Sequence, residues 1–255
     1  MALLRDGNPN DTESLRVYET SILSGAHVEG IDLDAKLGLA TEEISQQVLD
    51  VLLAHENGSG ASTRRRVLGV SDVVTTPPLR RWQALHTLGI VYRDAYNNQL
   101  NDRYQSKWDE YRELAREAKE QALRYGIGLV AVPIPRALPP VFSLVPSLNT
   151  ATTYYVRVNW VAASGSEGQA SEVTTFVTAE GSLMVIGAGN VPSAVTGWNA
   201  FVGLTTASLM QQNAAPIPVG QVFTVPATGL ISGRQPSDGQ APDFYVTGGR
   251  MLRRG

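Results

Sequence analysis

Three histidines, His27, His55 and His86, are the side chains best suited to proton transfer or metal ligation near neutral pH, and they lie far apart in the chain. None falls in a His-Glu-x-x-His pattern or a paired-ligand spacing. His86, beside Leu85, reads as a packed or surface histidine. There is no Gly-x-Ser-x-Gly elbow, because Gly69-Val-Ser71 is followed by Asp-Val. Gly58-Ser-Gly60 lacks the Gly-Lys-Ser/Thr of a phosphate loop, and Gly187-Ala-Gly189 lacks the strand–helix context of a dinucleotide site. The stretch with Glu29, Asp32 and Asp34 offers an Asp32-Leu-Asp34 pair that could be taken for calcium ligands but lacks the glycine and bidentate glutamate of a calcium loop, so these read as turn or helix-start acids. With no cysteine, thiol catalysis, a disulfide scaffold and Cys–zinc sites are excluded. The sequence therefore predicts no catalytic, cofactor or metal residue and no enzyme. A carboxylate pair without a local signature is the remaining enzymatic route. Two basic clusters stand out. Arg64, Arg65 and Arg66 read as a solvated loop or as a contact to an acidic patch or phosphate. Arg250, Arg253 and Arg254 read as a mobile tail or one docked on a neighbouring subunit.

The longest element in the chain is the stretch Pro77 to Tyr125. It opens on prolines suited to a first helical turn. Trp82, Leu85, Gly89, Tyr92, Tyr96, Leu100, Tyr104, Trp108, Tyr111, Ala115, Ala118, Ala122 and Tyr125 then recur at steps of three or four. Gly126 and Gly128 close the pattern. One continuous helix would be roughly 70 Å long, so it either bends near Asn97-Asn98 into a hairpin or belongs to an assembly. The charges between these positions alternate in sign, as on a solvated helix face. The aromatic stripe suits a core or a subunit interface. Trp82, Tyr92, Tyr96, Tyr104 and Trp108 are its candidate interface residues, together with the two arginine clusters.

Before this element, Asp11 to Ser24 reads as a short helix. Thr41 is read as the cap of a second, carrying Ile44, Val48, Val51, Leu52 and His55 and closing at Asn57-Gly58. Val67 to Val74 reads as a strand or an extended lead. After Gly128 the pattern changes. Leu129 to Val132 reads as a strand, and Pro133, Pro135, Pro139 and Pro140 as a stiff linker. Thr152–Val161, Ser171–Thr178, Leu183–Ile186, Gly197–Gly203, Ile217–Val219 and Gln221–Val225 then read as strands without intervening helices, which indicates an antiparallel sandwich.

Charge supports the same division. Residues 1–130 hold 15 Lys/Arg and 19 Asp/Glu, whereas residues 131–255 hold 6 and 5. The expected organisation is a helical domain over 1–127, a strand and Pro-rich linker over 128–140, a β-sandwich over 141–247 and a basic tail over 248–255. The fold class is α + β: an N-terminal helical bundle with one long helix or helical hairpin, then an antiparallel sandwich. Hydrophobic content of 43% suits a packed core, and a net charge of −3 gives no argument for nucleic acid or anionic membrane as a bound partner. No signal peptide and no membrane-spanning run is read from the sequence.

The helical half resembles the head–tail connector (adaptor) proteins of tailed bacteriophages. The residues that carry the resemblance are the acidic helix from Thr41 to His55, Val70-Ser-Asp-Val-Val-Thr-Thr-Pro-Pro-Leu-Arg-Arg-Trp82 and Val91-Tyr-Arg-Asp-Ala-Tyr96. The second half resembles a fibronectin type III or immunoglobulin-like module in Tyr154-Tyr-Val-Arg-Val158, the Gly165-Ser-Glu-Gly168 loop and Trp198-Asn-Ala-Phe-Val-Gly203. The resemblance implies a structural virion protein in the neck between capsid and tail, made in the host cytoplasm. It implies a dodecameric ring of copies, contacts with portal and with tail, stopper or terminator proteins, and viral DNA passing through without sequence-specific binding. It implies no cofactor. The alternative is a tail-associated binding module whose sandwich holds a receptor or glycan, with Trp160, Trp198 and Tyr245 as stacking surfaces.

Overall fold

The computed structural model describes residues 1–58, 67–100 and 102–247, with backbone alone at 56–58. Arg64–Arg66 and Arg250, Arg253 and Arg254 lie outside the described residues. The chain divides into two compact units that are not simple sequence blocks. One comprises Gly7–Ala131 and the chain from Pro242 onward; the other comprises Met1–Asp6 and Val132–Ala241. The helical unit is thus interrupted in sequence by residues 132–241. The architecture is α + β, with a helical region including a hairpin followed by antiparallel sheets.

The helical unit contains α1 (Ile22–Glu29), α2 (Leu33–Gly58), α3 (Pro77–Gln99) and α4 (Asp102–Tyr125). Asp11–Ser24 is not one helix. A 3-10 turn at Ser14–Val17 precedes α1, which runs through Gly25 to a left-handed Gly30. Nor does Thr41 cap α2. The helix starts at Leu33, where Asp32 Oδ1 accepts hydrogen bonds from the Asp34 and Ala35 backbone N–H groups at 3.0 and 3.1 Å. That side chain satisfies first-turn donors that have no helical partner. Leu33, Leu37, Ala40, Ile44, Val48 and Leu52 then form a buried stripe. Thr41 lies inside the helix and bonds the Leu37 carbonyl at 2.9 Å.

Pro77–Tyr125 is a hairpin. α3 ends where Leu100 adopts φ 51° and its N–H bonds the Tyr96 carbonyl at 2.6 Å. α3 is the central helix, buried around most of its circumference and packed between α2 and α4. Before it, a 3-10 turn spans Val70–Asp72. The buried Asp72 carboxylate accepts the Gly69 N–H at 3.1 Å. Val73 bridges Leu129 in β1 (Ile127–Leu129), which pairs antiparallel with β10 (Phe244–Val246). The stretch read as a strand at Leu129–Val132 therefore begins two residues earlier and ends at Leu129, and the closing strand at Phe244–Val246 belongs to the helical unit.

The other unit has two sheets around one core. β4 (Thr174–Val177), β3 (Thr153–Ala162) and β6 (Val195–Gly203) form one sheet, with β7 (Met210–Gln211) and β8 (Ile217–Pro218) both paired to β6. β2 (Val141–Pro146), β5 (Ser182–Gly187) and β9 (Phe223–Thr224) form the other. Val156, Val158, Trp160, Trp198, Ala200 and Val202 from the first sheet meet Met184 and Ile186 from the second. The Pro-rich stretch 133–140 is not a free linker. Ile134 and Ala137 are buried in this core, and the Ile134 N–H bonds Gln240 Oε1 at 2.6 Å. Prolines at 133, 135, 139 and 140 remove backbone donors but leave the apolar residues between them free to pack.

Candidate subunit interface

The aromatic stripe closes on itself across the hairpin. Tyr92 stacks on Tyr111 with ring centroids 5.5 Å apart and planes 3° from parallel, and Tyr96 stacks on Trp108 at 6.1 Å. Tyr104 reaches Tyr92 from the turn end, at 6.3 Å. A stripe that turns back on itself becomes two facing rows, and each ring gains an offset partner worth about 1 kcal/mol beyond area burial. Small residues let the helices approach. Ala115, Ala118 and Ala122 line the buried side of α4, and a Cβ built on Gly89 would sit 3.8 Å from the Tyr111–Arg112 backbone.

The candidate residues therefore fall into distinct settings. Trp82 is 2% exposed, a core side chain with the Lys119 ammonium 6.0 Å from its ring centroid. Tyr92, Tyr96, Tyr104 and Trp108 are half-buried, and all but Tyr96 line one of two clefts. One cleft runs between α1 and the hairpin and is lined by Ile22, Val91, Tyr92, Ala95, Tyr104 and Lys107. The other lies on the α3–α4 face, lined by Trp82, His86, Gly89, Arg93, Trp108 and Lys119. The Arg112 guanidinium lies 5.6 Å from the Trp108 ring centroid.

Polar residues that carry no sequence signature hold these elements together. Glu19, just before α1, accepts hydrogen bonds from Ser21 Oγ at 2.9 Å, Lys107 Nζ at 3.0 Å and Tyr111 Oη at 3.0 Å. Burial opposes its ionisation. The Lys107, Ser21 and Tyr111 donors and the Lys107 charge prevail, and its pKa falls to about 2. The same contacts act in reverse on the partners. Burial, then the Glu19 charge and hydrogen bond, push Tyr92 up to about 12. Tyr111 rises for the same causes, and Lys107 is raised chiefly by its hydrogen bond to Glu19. At the other end of α1, Glu29 accepts Tyr104 Oη at 2.7 Å and Gln99 Nε2 at 2.8 Å, which fixes the helix to the hairpin turn.

α2 is joined to α3 by further polar contacts. His86 Nε2 lies 2.6 Å from Glu43 Oε2, and Lys36 Nζ lies 2.5 Å from Asp94 Oδ2. The fully buried Gln83 donates to the Leu37 carbonyl at 3.3 Å and accepts from Asn10 Nδ2 at 2.6 Å. Glu19, Glu29, Glu43 and Asp94 are thus engaged in packing helix on helix. Among the described residues, no group of three His, Asp or Glu is placed to hold a metal ion.

The exposed face of α4 is a charge ladder. The helix carries six acidic and six basic residues. Asp109 pairs with Arg112 at 3.0 Å, Glu113 pairs with Arg116, and Glu120 also reaches Arg116 at 2.7 Å. Hydrogen bonding from Arg116 lowers Glu113 below the ordinary glutamate range. Exposed apolar residues of the helical unit include the aliphatic Val17, Val28, Leu49, Leu53 and Leu100 and the aromatic Tyr18, Tyr125, Phe244 and Tyr245.

The stacking residues read for a glycan are placed elsewhere. Trp160 and Trp198 are 2% and 1% exposed in the sandwich core, whereas Tyr245 is exposed on β10 in the helical unit. Among the described residues, no helix is long and apolar enough to cross a membrane. No family model, curated protein or solved structure matches the chain.

Proposed function

We propose that this protein is a structural component of a tailed-phage virion: a ring-forming head–tail adaptor that joins portal to tail and lines the DNA exit channel. The observation that carries the reading is the balanced face of α4. A wall lined with free Lys and Arg would bind phosphates and release counterions, and so would hold the genome. On α4, Arg112 and Arg116 are matched by acids one turn away, which suits a surface that DNA slides past. The stretch Val70–Trp82, on which the resemblance to adaptors rests, supports the reading as framework. It forms a turn, a bridge to β1 and the first turns of the buried α3. On this reading the sandwich is an immunoglobulin- or fibronectin-type decoration or clamp. The protein acts in the neck after synthesis in the host cytoplasm, with copies of itself, portal and a tail, stopper or terminator protein as neighbours.

The test is the native mass of the purified full chain, with negative-stain images, alone and after addition of purified portal protein. Rings, alone or on the portal, are the expected result. A chain that stays monomeric in both conditions and in the virion overturns the proposal.

A further inference from the structure

β2 is an edge strand of the three-stranded sheet, and among the described residues no strand pairs on its outer side. Exposed apolar side chains flank the exposed Ser143 on it: Val141 is 64% exposed, Leu144 43% and Val145 37%. Edge strands of soluble proteins are ordinarily defended by charge, a bulge or a cover, because their free N–H and C=O groups accept another strand. This edge carries no charge. The two segments that supply its sheet, Ala137–Val156 and Gly181–Gly233, contain no Asp, Glu, Lys, Arg or His. The strand is also symmetric in sequence. Pro140-Val-Phe-Ser-Leu-Val-Pro146 reads as Pro, Val, large apolar, Ser, large apolar, Val, Pro in either direction.

We propose that β2 pairs antiparallel with β2 of a second copy of this chain, about a two-fold axis through Ser143, to make one continuous six-stranded sheet. Residues opposite each other in an antiparallel pair share a face. This register sets Val141 against Val145 on one face and Phe142, which packs on the core, against Leu144 on the other. Every one-residue slip would place core-facing side chains opposite solvent-facing ones. Pro140 and Pro146 lack N–H groups and so end the pairing at matching points. A charge-free face meets its own copy without like-charge repulsion, and a palindromic strand matches itself better than it matches an unrelated strand. A contact this small gives weak association, so it is measured at high protein concentration. The inference does not rest on the adaptor reading, and its test does not depend on ring formation.

The chain has no cysteine, so Ser143→Cys introduces a single reporter on the proposed axis. The paired Cα atoms would lie about 4.5–5.5 Å apart, within disulfide range. Under mild oxidation the full-length S143C chain is expected to accumulate a disulfide-linked dimer. Thr175→Cys, also exposed and on the edge strand of the other sheet, is expected not to do so. Val145→Lys, with its fold checked by circular dichroism, is expected to abolish S143C cross-linking and the concentration-dependent dimer seen by sedimentation. S143C cross-linking no faster than T175C overturns the proposal. So does a self-association that V145K leaves unchanged, which would place the contact on another surface.

Discussion

Glu19→Gln should loosen the helical unit, and the size of the effect follows from the geometry. The carboxylate side chain is 13% exposed, and Lys107 and Tyr111 each donate to it at 3.0 Å. Its pKa falls from 4.5 to about 2, and a shift of that size corresponds to about 3 kcal/mol. Lys107 is 40% exposed, so water screens the pair, and about 1.5 kcal/mol is the expected loss. Glutamine keeps an acceptor for Tyr111 but removes the charge that holds Lys107. Because the folded-state pKa is depressed, the stabilisation is complete above about pH 4.5 and vanishes as pH falls through about 2. The stability gap between wild type and E19Q should therefore be constant from pH 7 to pH 5 and should close between pH 4.5 and pH 2. Urea unfolding followed at 222 nm, where helices dominate, measures this gap. A Lys107→Ala partner completes a double-mutant cycle and should show coupling of about 1 kcal/mol. Equal stability of E19Q and wild type at pH 7, or a gap that persists unchanged at pH 2, would refute the reasoning.

Two other substitutions probe packing. Gly89→Ala should be neutral or mildly stabilising in thermal unfolding, since its Cβ would lie 3.8 Å from α4 and alanine gains up to about 1 kcal/mol of helix propensity. Gly89→Leu should instead cost about 1–3 kcal/mol by forcing α3 and α4 apart; equal melting temperatures for the two variants would contradict the close crossing. In the sandwich, Asn199 is 1% exposed, donates to Asn159 and Glu167 at 3.1 Å and accepts from Asn213 at 2.8 Å. Asn199→Ala strands these buried groups and should cost about 2–3 kcal/mol in chemical denaturation, whereas an unshifted midpoint would show that the network contributes nothing.

Residues with a local physical signature were legible. β3, β5 and β6 lie where β-branched and aromatic runs bounded by turn residues place them. Helix starts were harder. Thr41 and Asp32 are both good caps by residue type, and sequence alone favoured the one nearer the acidic turn. The buried run Leu33, Leu37, Ala40 shows that packing against α3 extends the helix back to Asp32. Of the candidate interface, the aromatic stripe was visible at helical spacing. Its mutual stacking was not visible, because a periodic pattern is the same whether the helix runs on or folds back. The packing roles of Glu19, Glu29 and Gln83 carried no signal, since apart from Ser21 beside Glu19 their side-chain partners lie 42 to 92 residues away.

By itself the sequence determined the two-part α + β architecture, the helical character of 77–125 and the strand-rich second half. Each of these rests on periodicity, turn residues and composition, which act over a few residues at a time. Only the tertiary structure decided that the long element is a hairpin and that its aromatic rows face one another. It also decided that the Pro-rich stretch 133–140 packs into the sandwich core and that β2 is left at an edge. These outcomes depend on which distant surfaces meet, and a one-dimensional pattern does not encode how a half-buried face finds its partner.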